Sequence, residues 1–193
     1  MSGSKFTLFG NKYHMGSYIL FIRISSPVQV AFGKFQKSNI FTLPESDYLY
    51  IGSALGNSGT PLAARLIRHA GRSGTKRSHN IRKSLIKHFF GDAGALRYTS
   101  DVSKKKLHWH IDYLLDCAEA EIEHIVIIRC PSKIEHKLSA FLDSLEDTCP
   151  IARRLGAQDT RNSNHLLRIS DRKQILEQLG QYIPSLIPLT ESA

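Results

Sequence analysis

The sequence predicts a mixed α/β domain of the α+β kind, a three-stranded antiparallel sheet flanked by helices with further strand and helix additions toward the C-terminus. Three observations predict it. Runs rich in β-branched and aromatic residues recur at 17–24, 28–32 and 46–54 with short links between them. From Thr60 onward the apolar spacing changes to that of amphipathic helices. Beyond residue 120 short apolar runs alternate with helical stretches.

Residues 1–15 read as a lead-in, loose or paired at a sheet edge. "SYILFIRI" (17–24) is apolar at nearly every position, as a strand buried on both faces is. "VQVAF" (28–32) alternates, and Ser25, Ser26 and Pro27 between the two suit a tight hairpin. "SDYLYIGSA" (46–54) completes an expected meander. The first helix should begin at Thr60-Pro61, an N-cap followed by proline, and stop near Gly71. Its wheel sets Leu62, Ala63, Leu66, Ile67 and Ala70 against Arg65, Arg68 and His69 on the outer side. A second helix is expected over 80–90 with Gly91 ending it, and a third over 107–121. Then come a strand at 124–130, a helix at 132–146, a strand at 165–170, and a last helix over 171–183 capped by Asp171.

The formal net charge of the 193-residue chain is +9, which favours a polyanionic partner through counterion release. The longest apolar runs fall far short of the ~20 residues of a membrane-spanning helix, and the N-terminal stretch lacks the apolar segment of a signal peptide. Three widely spaced cysteines, Cys117, Cys130 and Cys149, form no metal pair or disulfide framework and point to the cytoplasm.

Between Tyr48 and Asn80 there is no acidic residue. Tyr48 and Tyr50 share a strand face, and Tyr18 stands on it too if the first strand pairs nearby. Gly52 leaves room for a ligand to approach, and Arg65 and His69 are i, i+4 neighbours. These groups suit phosphodiester chemistry. Arginine offers a planar fork to phosphate oxygens, and a phenol can orient or deprotonate water. An unassisted phenol stands ~3 pKa units above neutrality, a cost of roughly 4 kcal/mol, so a divalent metal held by a carboxylate is expected. The best source is Asp112 in "HWHIDYLL". A zinc site of His108, His110 and Asp112 is the competing reading; it requires a strand, and the Leu- and Ala-rich continuation favours helix.

The ordered set of motifs resembles the GIY-YIG nuclease superfamily, and within it the Uri-type endonuclease group, catalogued as DUF123. Gly16-Ser17-Tyr18 looks like the GIY element and Tyr50-Ile51-Gly52 is the YIG element. "RLIRH" matches the Arg-x-x-x-His helix, and "HWHIDYLL" and "LGAQDTRNSNHLLRI" are similar to stretches of the Uri-type group. The resemblance spans about 16–170 and implies Mg²⁺- or Mn²⁺-dependent endonucleolytic hydrolysis of a nucleic acid, expected to be DNA. A C-terminal lobe from about residue 119 is an open alternative, and 171–193 would be a helix and tail.

The same resemblance implies roles. Tyr18 would be the base or water-orienting phenol, and Tyr50 would position water and phosphate. Arg65 would stabilise the transition state, and His69 would move a proton or bind phosphate. The family's metal ligand is a glutamate on a later helix; Asp112 is the expected equivalent, with Glu119 and Glu121 as alternatives. Arg68, Arg72, Lys76, Arg77, Arg82, Lys83 and Lys87 are expected to bind the phosphate backbone. His108, His110, Asp159 and His165 are further candidates, for which packing or turn roles weigh more. Two other functions remain open: a non-catalytic nucleic-acid-binding module on the same fold, and a zinc-stabilised interaction protein.

Overall fold

The computed structural model describes residues 4–97, 105–153, 155 and 164–187. Among these residues eight strands and five α-helices follow in chain order: β1 (Phe6–Phe9), β2 (Gly16–Ile24), β3 (Val28–Ala31), β4 (Ile40–Leu43), β5 (Ser46–Ala54), α1 (Pro61–His69), α2 (Arg82–Arg97), α3 (His110–Leu115), β6 (Ala120–Ile128), α4 (Glu135–Asp143), β7 (Thr148–Pro150), β8 (Leu166–Ile169) and α5 (Arg172–Tyr182).

Six of these strands form one mixed sheet in the order β1-β6-β2-β5-β8-β7. Among the described residues of this sheet, β1 and β6 pair in parallel and the other neighbours antiparallel. The three-stranded meander expected from the sequence is not what forms. β2 pairs directly with β5, Tyr18 opposite Gly52, while β3 turns away to pair with β4 as a separate two-stranded sheet. Alternation in Val28–Phe32 reports a half-buried strand and carries no information about its partner.

The place beside β2 is taken by β6, from the C-terminal half of the chain. The third helix is accordingly short: α3 ends at Leu115, and Ala120 and Glu121, expected in helix, belong to β6. In the central strands tertiary pairing overrides the helix propensity of "CAEAE".

Helices cover both faces. Tyr18, Leu20, Ile22 and Tyr50 pack beneath α1, α2, α3 and the β3–β4 hairpin. Ile19, Phe21, Leu49 and Ile51 pack against Ile134, Leu138 and Leu142 of α4 and Ile175 and Leu179 of α5. This double cover is why β2 and β5 are almost continuously apolar. Asp171 caps α5 by accepting the Gln174 amide, as its position predicts. Gly91, with φ of 66°, breaks the helical path inside α2, where the sequence places a stop. No helix among the described residues is long and apolar enough to cross a membrane.

A buried tyrosine–histidine–aspartate chain as candidate active site

The register that sets Tyr18 opposite Gly52 lays the phenol across the glycine. A Cβ at position 52 would stand 2.5 Å from both the Tyr18 hydroxyl and its ring carbon. The space that the sequence suggests for an incoming ligand is thus filled by Tyr18 itself.

From this position the Tyr18 hydroxyl meets His69 Nε2 at 2.8 Å, and His69 Nδ1 stands 3.2 Å from Asp112 Oδ1. An ionised carboxylate only accepts, so Nδ1 carries the hydrogen and Nε2 accepts from the phenol. Strand β2, the last turn of α1 and the first turn of α3 each supply one member, and all three side chains are buried. His69 therefore does not lie on the exposed face of α1 where its spacing places it. That side of the last helical turn faces inward, against Tyr18 and the indole of Trp109.

Asp112 joins the cluster through His69, not as an open ligand. Its two oxygens accept from one terminal nitrogen of Arg68, at 2.9 Å each, and from the amides of His108 and Trp109. With His69 added, the lone pairs of the carboxylate are used up. Burial alone would favour the neutral acid. Bonds and charge from His69, the His108 amide and Lys105 outweigh it and hold the carboxyl well below the usual range. Of the alternative acids, Glu121 bonds the Asn80 amide and lies against Arg72 and His79, while Glu119 lines a groove with Lys76 and Asp116 at the far end of α3.

A second carboxylate, Glu135, the first residue of α4 on the opposite layer of the sheet, acts together with Asp112 on the charge of both phenols. Strand β8 begins at Leu166, opposite Tyr50, so the last residues of β5 extend past its end. There Ser53 Oγ donates to Glu135 Oε2 at 2.6 Å, and His165 Nδ1 lies 3.4 Å from Oε1. The Tyr50 ring stands edge-on to His165 and to His69. Arg65 stacks its guanidinium 3.8 Å from the centroid of the Trp109 ring, where its positive charge acts on both phenols.

Electrostatics keep this chain uncharged at its centre. Burial raises the pKa of Tyr18 and Tyr50 well above the ordinary phenol range; the Arg65 charge opposes that shift and the Glu135 charge adds to it. Burial also lowers His69 to about 4, although Asp112 pulls the other way. At neutral pH the chain therefore reads phenol, neutral imidazole, carboxylate.

The remaining sequence candidates separate by place. Arg68 is committed to Asp112 and to the Lys106 carbonyl. Arg72 is buried and donates to the carbonyls of Leu115, Arg77 and Ala120. Lys76 pairs with Asp116, and exposed Arg77 bonds Asn80. Arg82 is half-buried on α2, whereas Lys83 and Lys87 face solvent, Lys87 beside Asp92. His108 is exposed with its ring edge on Trp109, and His110 packs against Phe35, so neither converges with Asp112 on a common point. Among the described residues no group of three or more His, Cys, Asp or Glu side chains could hold a metal ion. Asp159 lies outside the described residues.

Sequence reasoning did not single out Glu135 or the bond that it accepts from Ser53. Glu135 reads in the sequence as an ordinary acidic residue in the first turn of an amphipathic helix.

The family model that matches the chain is described as a domain of unknown function, DUF123, and covers residues 17–187. No curated protein and no solved structure matches the chain.

Proposed function

The chain belongs to the DUF123 family, and we propose that it is an endonuclease of the GIY-YIG type, hydrolysing the phosphodiester backbone of DNA. The observation that carries the reading is the convergence of Tyr18, hydrogen-bonded through His69 to Asp112, with Tyr50, Arg65 and Glu135.

In this reading Tyr18 takes a proton from the attacking water on its phenolic oxygen while passing its own proton to His69 Nε2. No free phenolate forms, which matters because burial makes one costly. Asp112 fixes the tautomer that leaves Nε2 free to accept, and its charge stabilises the imidazolium. Arg65, held in place by Trp109, offers its donors to the non-bridging oxygens as charge builds on phosphorus. Tyr50 orients water and phosphate. His69 returns its proton to the departing oxygen or to solvent.

Glu135 fits a magnesium or manganese ion better than Asp112 does. Its side chain is 17% exposed and its carboxylate carries one short bond, from Ser53, so it keeps lone pairs for a cation whose other positions water and phosphate would fill. Such an ion would neutralise charge on the phosphate and lower the pKa of its bound water. The net charge of +9 and the exposed Lys83 and Lys87 supply attraction to the nucleic-acid backbone.

The test is direct. Single-stranded, duplex and branched DNA are incubated with the protein in Mg²⁺ or in EDTA, beside Arg65→Ala and Glu135→Gln. Metal-dependent cutting that both substitutions abolish supports the proposal. Salt-sensitive binding with no cutting by the wild-type protein overturns it in favour of a binding module.

A further inference from the structure

We propose that Lys105 is a positioning residue, a buried ammonium at the end of α1 whose charge sets how readily His69 accepts the Tyr18 proton. Its bearing on catalysis rests on the nuclease reading; the charge coupling itself does not.

The Lys105 side chain is 3% exposed, a rare state for lysine. Its Nζ donates to the Gly71 carbonyl at 2.7 Å, just past the C-terminus of α1, where backbone carbonyls favour a cation. The same nitrogen stands 3.8 Å from Asp112 Oδ1, the oxygen that accepts from His69. A single carboxylate oxygen thus lies between an imidazole and an ammonium. Arg68 occupies both oxygens of Asp112 from the α1 side.

The neighbours of Lys105 pull in both directions. Burial is the largest influence and lowers its pKa to about 8; Asp112 on α3 and Asp116 just past its end raise it, and Arg68 and Arg72 lower it. On His69 the Lys105 charge acts in the same direction as burial, against the imidazolium. Lys105 is the cation beside Asp112 that loses its charge within a working pH range, so imidazole basicity rises as pH climbs through about 8.

Histidine-selective ¹⁵N NMR of the full chain tests the coupling without substrate. Lys105→Met keeps the length of the side chain and removes the charge. The His69 titration midpoint should rise by about one unit, while Lys105→Arg, which keeps the charge, should leave it near the wild-type value. A His69 midpoint unchanged in Lys105→Met overturns the proposal.

Should Lys105→Met fail to fold, the wild-type protein scanned from pH 7 to 10 decides. The His69 ring nitrogens should shift with the inflection seen at the Lys105 Cε, and a flat His69 response overturns the proposal. Where cleavage is observed, the acid limb of its pH profile should move with the His69 midpoint. Absence of cleavage counts against the nuclease reading and leaves the NMR outcome decisive for Lys105.

Discussion

Tyr18 and Gly52 face each other across the β2–β5 pair, and the phenol of the first fills the space that any side chain at the second would need. Gly52 is thereby tied to Tyr18 through van der Waals exclusion. Gly52→Ala should displace the Tyr18 ring from His69, destabilise the fold by about 1–3 kcal/mol, and remove cleavage. Urea denaturation and a cleavage assay check it, and a variant that cuts normally would refute the placement of the phenol.

Metal affinity should distinguish the two acids. Glu135→Gln is expected to weaken Mn²⁺ binding by at least about tenfold, measured by calorimetric titration. Asp112→Asn should leave that affinity near wild type, because the Asp112 oxygens are already taken by protein donors.

Asp112→Asn should instead damage the proton chain. An asparagine that turns its NH₂ group to His69 presents a donor, which reverses the tautomer and blocks acceptance from Tyr18. Single-turnover cleavage should fall by roughly 10²- to 10⁴-fold, and His69 ring NMR should report hydrogen on Nε2. Retention of the wild-type tautomer would count against a role for this carboxylate in orientation.

Stability should decline on mild acidification. His69 is lowered from 6.5 to about 4, first by burial, so between those values the unfolded chain binds a proton that the folded protein resists. Stability attributable to this group is complete above pH 6.5 and is lost as pH falls toward 4, by an amount on the order of 3 kcal/mol. Asp112, also held low in the fold, adds a second loss at still lower pH, below the ordinary carboxylate range. Denaturation midpoints from pH 7 to pH 4 check the slope, which should flatten in His69→Gln.

The arginines and lysines should divide into structural and surface groups. Arg72→Ala strands buried carbonyls of Leu115 and Ala120 and should destabilise by about 3 kcal/mol. Lys83→Glu and Lys87→Glu should leave the melting temperature nearly unchanged while weakening DNA binding, and neutralising each lysine should reduce the salt slope by about one. Filter binding at several salt concentrations separates these outcomes.

The elements with strong local signals were legible in the sequence: β2 and β5 from their apolar runs, the start of α1 from Thr60-Pro61, the break at Gly91 and the Asp171 cap. What failed was partner choice. The alternation in β3 could not say that it pairs with β4, and the Ala and Glu of 118–121 favoured helix where the centre of the sheet demanded a strand. At the candidate site Tyr18, Tyr50, Arg65 and His69 stand together, and Asp112 meets His69. Asp112 sits in a recognisable motif yet serves His69, while Glu135 arrives by a strand-edge gap that no local pattern records.

The insertion of β6 between β1 and β2 has a consequence for synthesis of the chain. Both tyrosines leave the ribosome early, whereas their central neighbour strand and Glu135 emerge only after residue 120. A nascent polypeptide halted before that point lacks the strand that pairs with β2 on its other side, so Tyr18 cannot be buried as in the folded domain until β6 has been made.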